Sequence, residues 1–377
     1  TITVSATAST DARDLTLTNT DAGTSTRSSA LTVTPRPVAT SLSPSSRGQG
    51  AVSQVITVTG TDFVPGMSVS FSGTGVTVNS VLVTDSSHAT VNVTVSSSAA
   101  AGARDLTLTN TDAGTHTTSS AFTVIAEPAA TSLSPSSLGQ GASSRAVVVS
   151  GSGFQDGVTA AFSGTGVTVD SVTYTNSTSI ILNVSVDAAA DLGPRSLSLT
   201  NPDAGTATLS SALSVVVKPV ATSLSPSSRG QGAASQTVVV SGSGFQDGVT
   251  ASFSGTGVTV NSVSFTNGTS ISLSVSVAAG ASVDARDLTL TNPDHGTHTA
   301  SALFTVNAKP VATSLSPSSR GQGAVSQVIT VTGTDFVSGM SVSFSGTGVT
   351  VNSVLVTDSS HATVNVTVSS SAAAGAR

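Results

Sequence analysis

Residues 89–96 read ATVNVTVS, and their alternation decides the fold class. Val91, Val93 and Val95 share one face at a period of two, with Asn92 and Thr94 on the other, the pattern of a half-buried β-strand. The same period recurs on both sides. Ile56 and Val58 alternate in Ser53–Gly60, Val69 and Phe71 in Ser68–Ser72, Leu106 and Leu108 in Arg104–Asn110, and Phe122 and Val124 in Thr117–Val124. Val76 and Val78 alternate, then Val81 and Val83, so the parity slips at Asn79–Ser80, as at a bulge or at a bend between two short strands. Gly60 and Gly66 bracket a loop carrying Phe63, read as a core plug, and Gly73-Thr-Gly75 turns the chain. In the turn Thr111-Asp-Ala-Gly114, Asp and Gly are expected to supply local bonding and positive φ. With a short strand at Val38–Leu42 the count is seven or eight strands. No segment shows a sustained helical stripe, and the Ala-rich 96–103 is a loop or at most one helical turn. The expected fold is all-β: an antiparallel two-sheet sandwich with the chain ends at opposite poles and with Val and Thr suited to its pleated surfaces.

This unit repeats. TSLSPSS begins at Thr40, Thr131, Thr222 and Thr313, and FSGTGVTV at Phe71, Phe162, Phe253 and Phe344, a constant step of 91 residues. Arg13, Arg104, Arg195, Arg286 and Arg377 keep the same step. That is too long for a solenoid unit and right for one sandwich domain. Boundaries are expected at Pro37, Pro128, Pro219 and Pro310, giving complete repeats 37–127, 128–218 and 219–309. Residues 1–36 are then the back of a repeat and 310–377 the front of another. Residues 310–377 match 37–104 except for Ser338 in place of Pro65, which reads as recent duplication.

Composition narrows the function. Net charge is −6, only 8% of residues are charged, and there is no Cys or Trp. Disulfide frameworks, thiolate metal sites and Cys nucleophiles are excluded. Sparse Lys and Arg argue against nucleic acid, which needs a basic face. No apolar run is long enough to span a bilayer. Hydrophobic residues at 37%, much of it Val, with so little charge is the reverse of a disordered composition.

The succession SLSPSS, GQGA, VTVTGTDF or VVVSGSGF, VSFSGTGV, RDLTLTNPDAGT and a closing FTV resembles the IPT/TIG immunoglobulin-like domain, and it does so in every repeat. The resemblance implies an Ig-like sandwich in tandem. It does not imply one function, since such domains occur in bacterial surface proteins, spacers of secreted enzymes, receptor ectodomains and transcription factors. DNA-contacting members of the wider family use basic loops; here the loops are Ser, Gly, Thr and Asp, so that role is not carried over.

Candidate chemistry is thin. His295 and His298 in PDHGTH could ligate a metal, but the first complete repeat has Ala113 and His116 there, and an exposed turn is expected. The turns beginning at Asn19, Asn110, Asn201 and Asn292 place Asn and Asp two apart before Gly. One Asp per turn is too few for calcium, and turn formation is the expected role. Ser is too abundant for its proximity to His88 to signal a triad, and GSGF is a strand-end turn rather than a phosphate loop. No catalytic, cofactor-binding or metal-binding residue is assigned. With no Trp and with Tyr174 the single Tyr, the aromatic platform of a carbohydrate binder is missing. Lys218 and Lys309 are the only lysines, so an internal Lys–Asn crosslink is excluded in 37–127. Sequons occur at Asn92, Asn176, Asn183, Asn267 and Asn365, and their use is open.

The expected function is structural: part of a secreted or cell-surface prokaryotic rod or filament, with adhesin stalk and secreted-enzyme spacer as alternatives. Residues 122–132, FTVIAEPAATS, contain no Gly, and Pro128 stiffens the junction, so a regular repeat spacing of roughly 40 Å is expected. The partners expected are neighbouring repeats or further copies of the chain. Residues 1–36 and 310–377 read as a window on a longer array. The alternative is strand donation, with residues 14–34 of one chain completing 310–377 of the next.

Overall fold

A computed structural model describes residues 1–376; Arg377, the last arginine of the 91-residue series, lies outside the described residues. The chain divides into two compact units, Thr1–Val216 and Val217–Arg377.

The first unit opens with a hairpin, β1 (Ala12–Thr18) and β2 (Thr24–Thr32), exposed along its whole length. Eight strands follow: β3 (Val38–Ser43), β4 (Ser46–Gly48), β5 (Gln54–Thr61), β6 (Ser68–Phe71), β7 (Val76–Asp85), β8 (His88–Val95), β9 (Gly102–Thr109) and β10 (Thr115–Ile125). They form two four-stranded sheets, β3-β5-β8-β7 and β4-β10-β9-β6. The alternating positions read from the sequence face inward: Ile56, Val91, Leu106, Leu108 and Phe122 are fully buried, and Phe63 is buried in the same cluster. Phe71 is half-buried, its ring centroid 5.0 Å from that of Phe122. It therefore borders the core rather than lying inside it.

Two features depart from the sequence reading. The opening strand is followed by one that the sequence did not show: beyond the cis peptide Ser43–Pro44, β4 lies in the other sheet, beside the last strand. That pairing, β4 with β10, is parallel, so the sandwich is not wholly antiparallel. In the 110–114 turn the positive φ belongs to Ala113 (68°), not to Gly114. The parity slip is a bulge within the continuous β7, where the register shifts between Val78 and Ser80. Gly60 is required by space: a Cβ there would sit 2.0 Å from the Val38 carbonyl oxygen and 2.5 Å from the Phe63 ring. The equivalent glycines Gly151, Gly242 and Gly333 are under the same constraint.

The pattern recurs in β11 (Ala129–Ser134), β12 (Ser137–Gly139), β13 (Arg145–Ser152), β14 (Thr159–Phe162), β15 (Val167–Asn176), β16 (Ser179–Val186), β17 (Gly193–Thr200) and β18 (Thr206–Val216), around a second cluster of buried residues.

The second unit holds β19 (Val220–Ser225), β20 (Ser228–Gly230), β21 (Gln236–Ser243), β22 (Thr250–Phe253), β23 (Val258–Asn267), β24 (Ser270–Val277), β25 (Ala285–Thr291) and β26 (Thr297–Asn307), again as two four-stranded sheets. Then come β27 (Val311–Ser316), β28 (Gln327–Thr334), β29 (Val349–Asp358) and β30 (His361–Val368), which make a single sheet. Its inner face is only partly covered, and a cavity of about 600 Å³ is lined by residues including Ile329, Phe344, Val366 and Val368.

Candidate functional site

Within the first unit, the turn that joins β17 to β18 seats against the segment following β4. The Gly48 N–H donates to the Asp203 carbonyl at 2.9 Å, and the Thr206 N–H donates to the Gln49 carbonyl at 3.1 Å. The Thr206 hydroxyl adds a bond to the Gly50 carbonyl at 3.3 Å. Backbones touch here: a Cβ on Gly48 would lie 2.4 Å from the Gly205 Cα. Ala204, held at a φ of 63°, packs on the apolar cluster of residues 39–124. Gln49 ties the seat to the link between the repeats, accepting at Oε1 from the Glu127 N–H at 2.9 Å and donating from Nε2 to the Ala99 carbonyl. Arg47 is close enough to Asp203 for their charges to interact; burial pulls its guanidinium below the ordinary value, and the Asp203 charge acts in the opposite direction. The equivalent earlier turn, 110–115, meets the link before its own repeat: the Thr34 hydroxyl donates to the Asp112 carboxylate, and a Cβ on Gly114 would lie 3.5 Å from the Arg36 Cα.

The Asn and Asp of these turns are spent on structure. Asn110, Asn201 and Asn292 are buried and donate from Nδ2 to the carbonyls of Asp62, Gly153 and Gly244, each at 2.8 Å. Asp203 accepts from the Gly205 N–H at Oδ1 and from Gln155 Nε2 at Oδ2, and Asp294 does the same with Gly296 and Gln246. Both carboxylate oxygens thus face donors, an arrangement that builds a turn and not a cation shell. Among the described residues no three His, Cys, Asp or Glu side chains cluster as a metal site. His295 occupies the left-handed turn position at a φ of 65°, and His298 lies half-buried, its pKa lowered by burial and by the Lys218 charge.

A serine does reach the His88 ring. At the exposed β7–β8 turn, His88 Nδ1 lies 2.9 Å from the Ser87 hydroxyl and 3.1 Å from Asp85, and Ser360, His361 and Asp358 repeat the arrangement. A nucleophile relay uses the two ring nitrogens separately, one for the hydroxyl and one for the carboxylate. Here both partners meet the same nitrogen, so the trio is a capped turn. The Asp85 carboxyl is held down to about 2 by the Ser87 hydroxyl and N–H, with a smaller part from His88.

The sequence reading missed the seat at residues 48–50 because none of them is apolar or reactive. A signal was present: GQG recurs at 48–50, 139–141, 230–232 and 321–323, and Asn-X-Asp-X-Gly-Thr begins at Asn19, Asn110, Asn201 and Asn292. Neither motif follows the alternation of a strand, and each occurs four times at the 91-residue step.

Residues 37–124 match the IPT/TIG domain family. No curated protein matches the chain. Among solved structures, the chain is similar to the I9–I11 tandem of titin, at 12% identity with 70% of this chain and 96% of that chain covered and a TM-score of 0.26. It is also similar to FdeC, an Escherichia coli adhesin, at 16% identity, 71% and 96% coverage and a TM-score of 0.21. A third is the SGBP-B of the Bacteroides ovatus mixed-linkage glucan utilization locus, at 14% identity, 71% and 67% coverage and a TM-score of 0.22.

Proposed function

We propose that this chain of tandem IPT/TIG-type immunoglobulin-like repeats is a structural segment of a long extracellular rod on a prokaryotic cell surface. Residues 37–127, 128–218 and 219–309 act as its successive domains, and 1–36 and 310–377 as parts of two more. The observation that carries the reading is the seat between residues 48–50 and 203–206. A flexible Gly/Ser linker leaves neighbouring domains free to reorient; backbone hydrogen bonds, a Gly48–Gly205 contact and Ala204 against the preceding apolar cluster resist that. The function is geometric: such junctions set reach and stiffness, and no side chain is required to turn over a substrate. Copies or neighbouring repeats associate through the exposed β1–β2 hairpin and the open sheet of 310–377.

Two measurements test this. Antibodies against residues 37–127 should label intact cells of the source organism; labelling only after permeabilisation removes the surface role. Small-angle scattering from the fragment 37–218 should give one narrow distance distribution, and Gly48→Ala should broaden it while leaving the circular dichroism unchanged. A distribution that is already broad in the unaltered fragment rules out the stiff junction.

A further inference from the structure

The five sequons sit in two different settings. Asn92, Asn183 and Asn365 lie mid-strand in β8, β16 and β30 and are half-buried. Their amides are engaged. Asn92 Nδ2 donates to the Ser53 carbonyl at 3.3 Å while its Oδ1 accepts from Asn79 at 2.6 Å. Asn365 does the same with Ser326 and Asn352, and Asn183 Nδ2 donates to the Ser171 hydroxyl at 2.9 Å. Asn176 and Asn267 are instead exposed at the tips of the β15–β16 and β23–β24 hairpins. Each closes its own sequon as an Asx-turn: Asn176 Oδ1 accepts from the Thr178 N–H at 2.9 Å and its hydroxyl at 2.8 Å, and Asn267 accepts from Thr269 at the same distances. Nδ2 of neither tip Asn donates a hydrogen bond among the described residues, which leaves it as the amide atom open to solvent.

The flanking repeats supply an internal comparison. Their tips carry Asp85 and Asp358, which close the same turn by accepting from the N–H and hydroxyl of Ser87 and Ser360. The turn therefore does not need Asn. A second position changes with it: two residues before the tip stands Tyr174 or Phe265 where the tip is Asn, and Val83 or Val356 where it is Asp. Tyr174 and Phe265 are half-buried, each anchored on its core cluster with part of the ring at the surface. The paired exchange adds two things the hairpin can do without, a free amide nitrogen and, two residues before it in the same strand, a partly exposed aromatic ring.

We propose that Asn176 and Asn267 are N-glycan acceptor sites, with Tyr174 and Phe265 as the surfaces on which the first sugar rests. The donor is a lipid-linked oligosaccharyl pyrophosphate, and the catalyst an oligosaccharyltransferase. The bond between sugar C1 and the phosphate oxygen breaks, a C1–Nδ2 bond forms, Nδ2 gives one proton to the enzyme's base, and the lipid pyrophosphate leaves with the electron pair. An acceptor at an exposed tip can enter an enzyme's site as it stands; one inside a paired strand must first open, at the cost of local unfolding. A sugar's C–H face packs on an aromatic face as other apolar surface does.

The test uses folded 1–377, a lipid-linked oligosaccharide and a single-subunit oligosaccharyltransferase that accepts Asn-X-Thr. Intact mass and chymotryptic glycopeptides report occupancy. Transfer is expected at Asn176 and Asn267, with occupancy at Asn92, Asn183 and Asn365 lower by about tenfold or more because those strands must open. The Asn176→Gln/Asn267→Gln double variant, with unchanged circular dichroism, should take up almost none. Tyr174→Val and Phe265→Val, which import the flanking repeats' residue, should lower occupancy several-fold at their own tips. No transfer to the folded chain, or equal transfer to the strand sequons, overturns the assignment. Unchanged occupancy in the two Val variants overturns the aromatic role.

Discussion

Asp85 shows how a single exposed side chain organises a hairpin tip. Its carboxylate accepts from the Ser87 N–H and hydroxyl, and its pKa falls from 3.8 to about 2. Because the folded value is depressed, the capping bonds are fully present above the ordinary carboxylate value and are lost as pH falls toward 2. A carbon-detected titration of Asp85 should therefore show its midpoint near 2, and Ser87→Ala should move it back toward 3.8; an ordinary midpoint in the unaltered chain rejects the capping account. Two phenylalanines in contact separate by burial. Phe122 is fully buried, and Phe122→Ala should cost about 3–5 kcal/mol. Phe71 is half-buried, and Phe71→Ala should cost about 1–2 kcal/mol. Urea denaturation of the fragment 37–127 measures both, and equal costs would mean that Phe71 is as deep as its partner.

The last strand of each complete repeat carries an irregularity, and in two of the three a carboxylate on the strand before it caps it. The register of β10 shifts between Thr118 and Phe122, Ser120 takes a φ of 53°, and its N–H donates to Asp105 at 2.8 Å. Asp14 and Asp287 serve Ser29 and Ala302 in the same way. In 128–218 the position is Ser196, yet Ser211 keeps its left-handed φ of 52°. Asp105→Ser should thus destabilise its repeat by about 1 kcal/mol, and Ser196→Asp should stabilise the following one by a similar amount. Denaturant midpoints of the two fragments decide this, and no change in either would make the carboxylate incidental. Strands were legible in the sequence wherever burial imposed a period of two, as at Val91, Val93 and Val95, and so was the bulge in β7, because a shift of one residue reverses which side chains face inward. β4 was not legible: three residues, Ser46, Arg47 and Gly48, give no periodicity, and their pairing is parallel and distant in sequence. The left-handed residue of the 110–114 turn was not legible because it is Ala113, a residue type that gives no signal for a positive φ, and not the glycine that follows it. At the junction, backbone atoms do most of the bonding, so side-chain chemistry said little about it.

At the scale of the molecule, two apolar surfaces are uncovered among the described residues. The β1–β2 hairpin leaves Leu15 and Leu17 exposed at 49% and 62%. Ninety-one residues later the same positions are Leu106 and Leu108, fully buried in the second sheet of 37–127. Among the described residues, the sheet of β27, β28, β30 and β29 has no second sheet beside it. Sedimentation velocity on 1–377 should show concentration-dependent association, and removing residues 1–36 should abolish it; a monomer at every concentration would eliminate association through these surfaces. The parallel pairing of β4 with β10 has a further, mechanical consequence. β4 lies near the start of its repeat and β10 at its end, so tension drawn along the chain pulls the two in opposite directions. The bonds joining them, from the Thr123 N–H to the Ser45 carbonyl and from the Gln49 N–H to the Ile125 carbonyl, both at 2.9 Å, are loaded together in shear instead of opening one after another like a zip. A few short hydrogen bonds so placed make each repeat yield abruptly under load, and a chain of them would stretch in discrete steps, each as long as one unravelled sandwich.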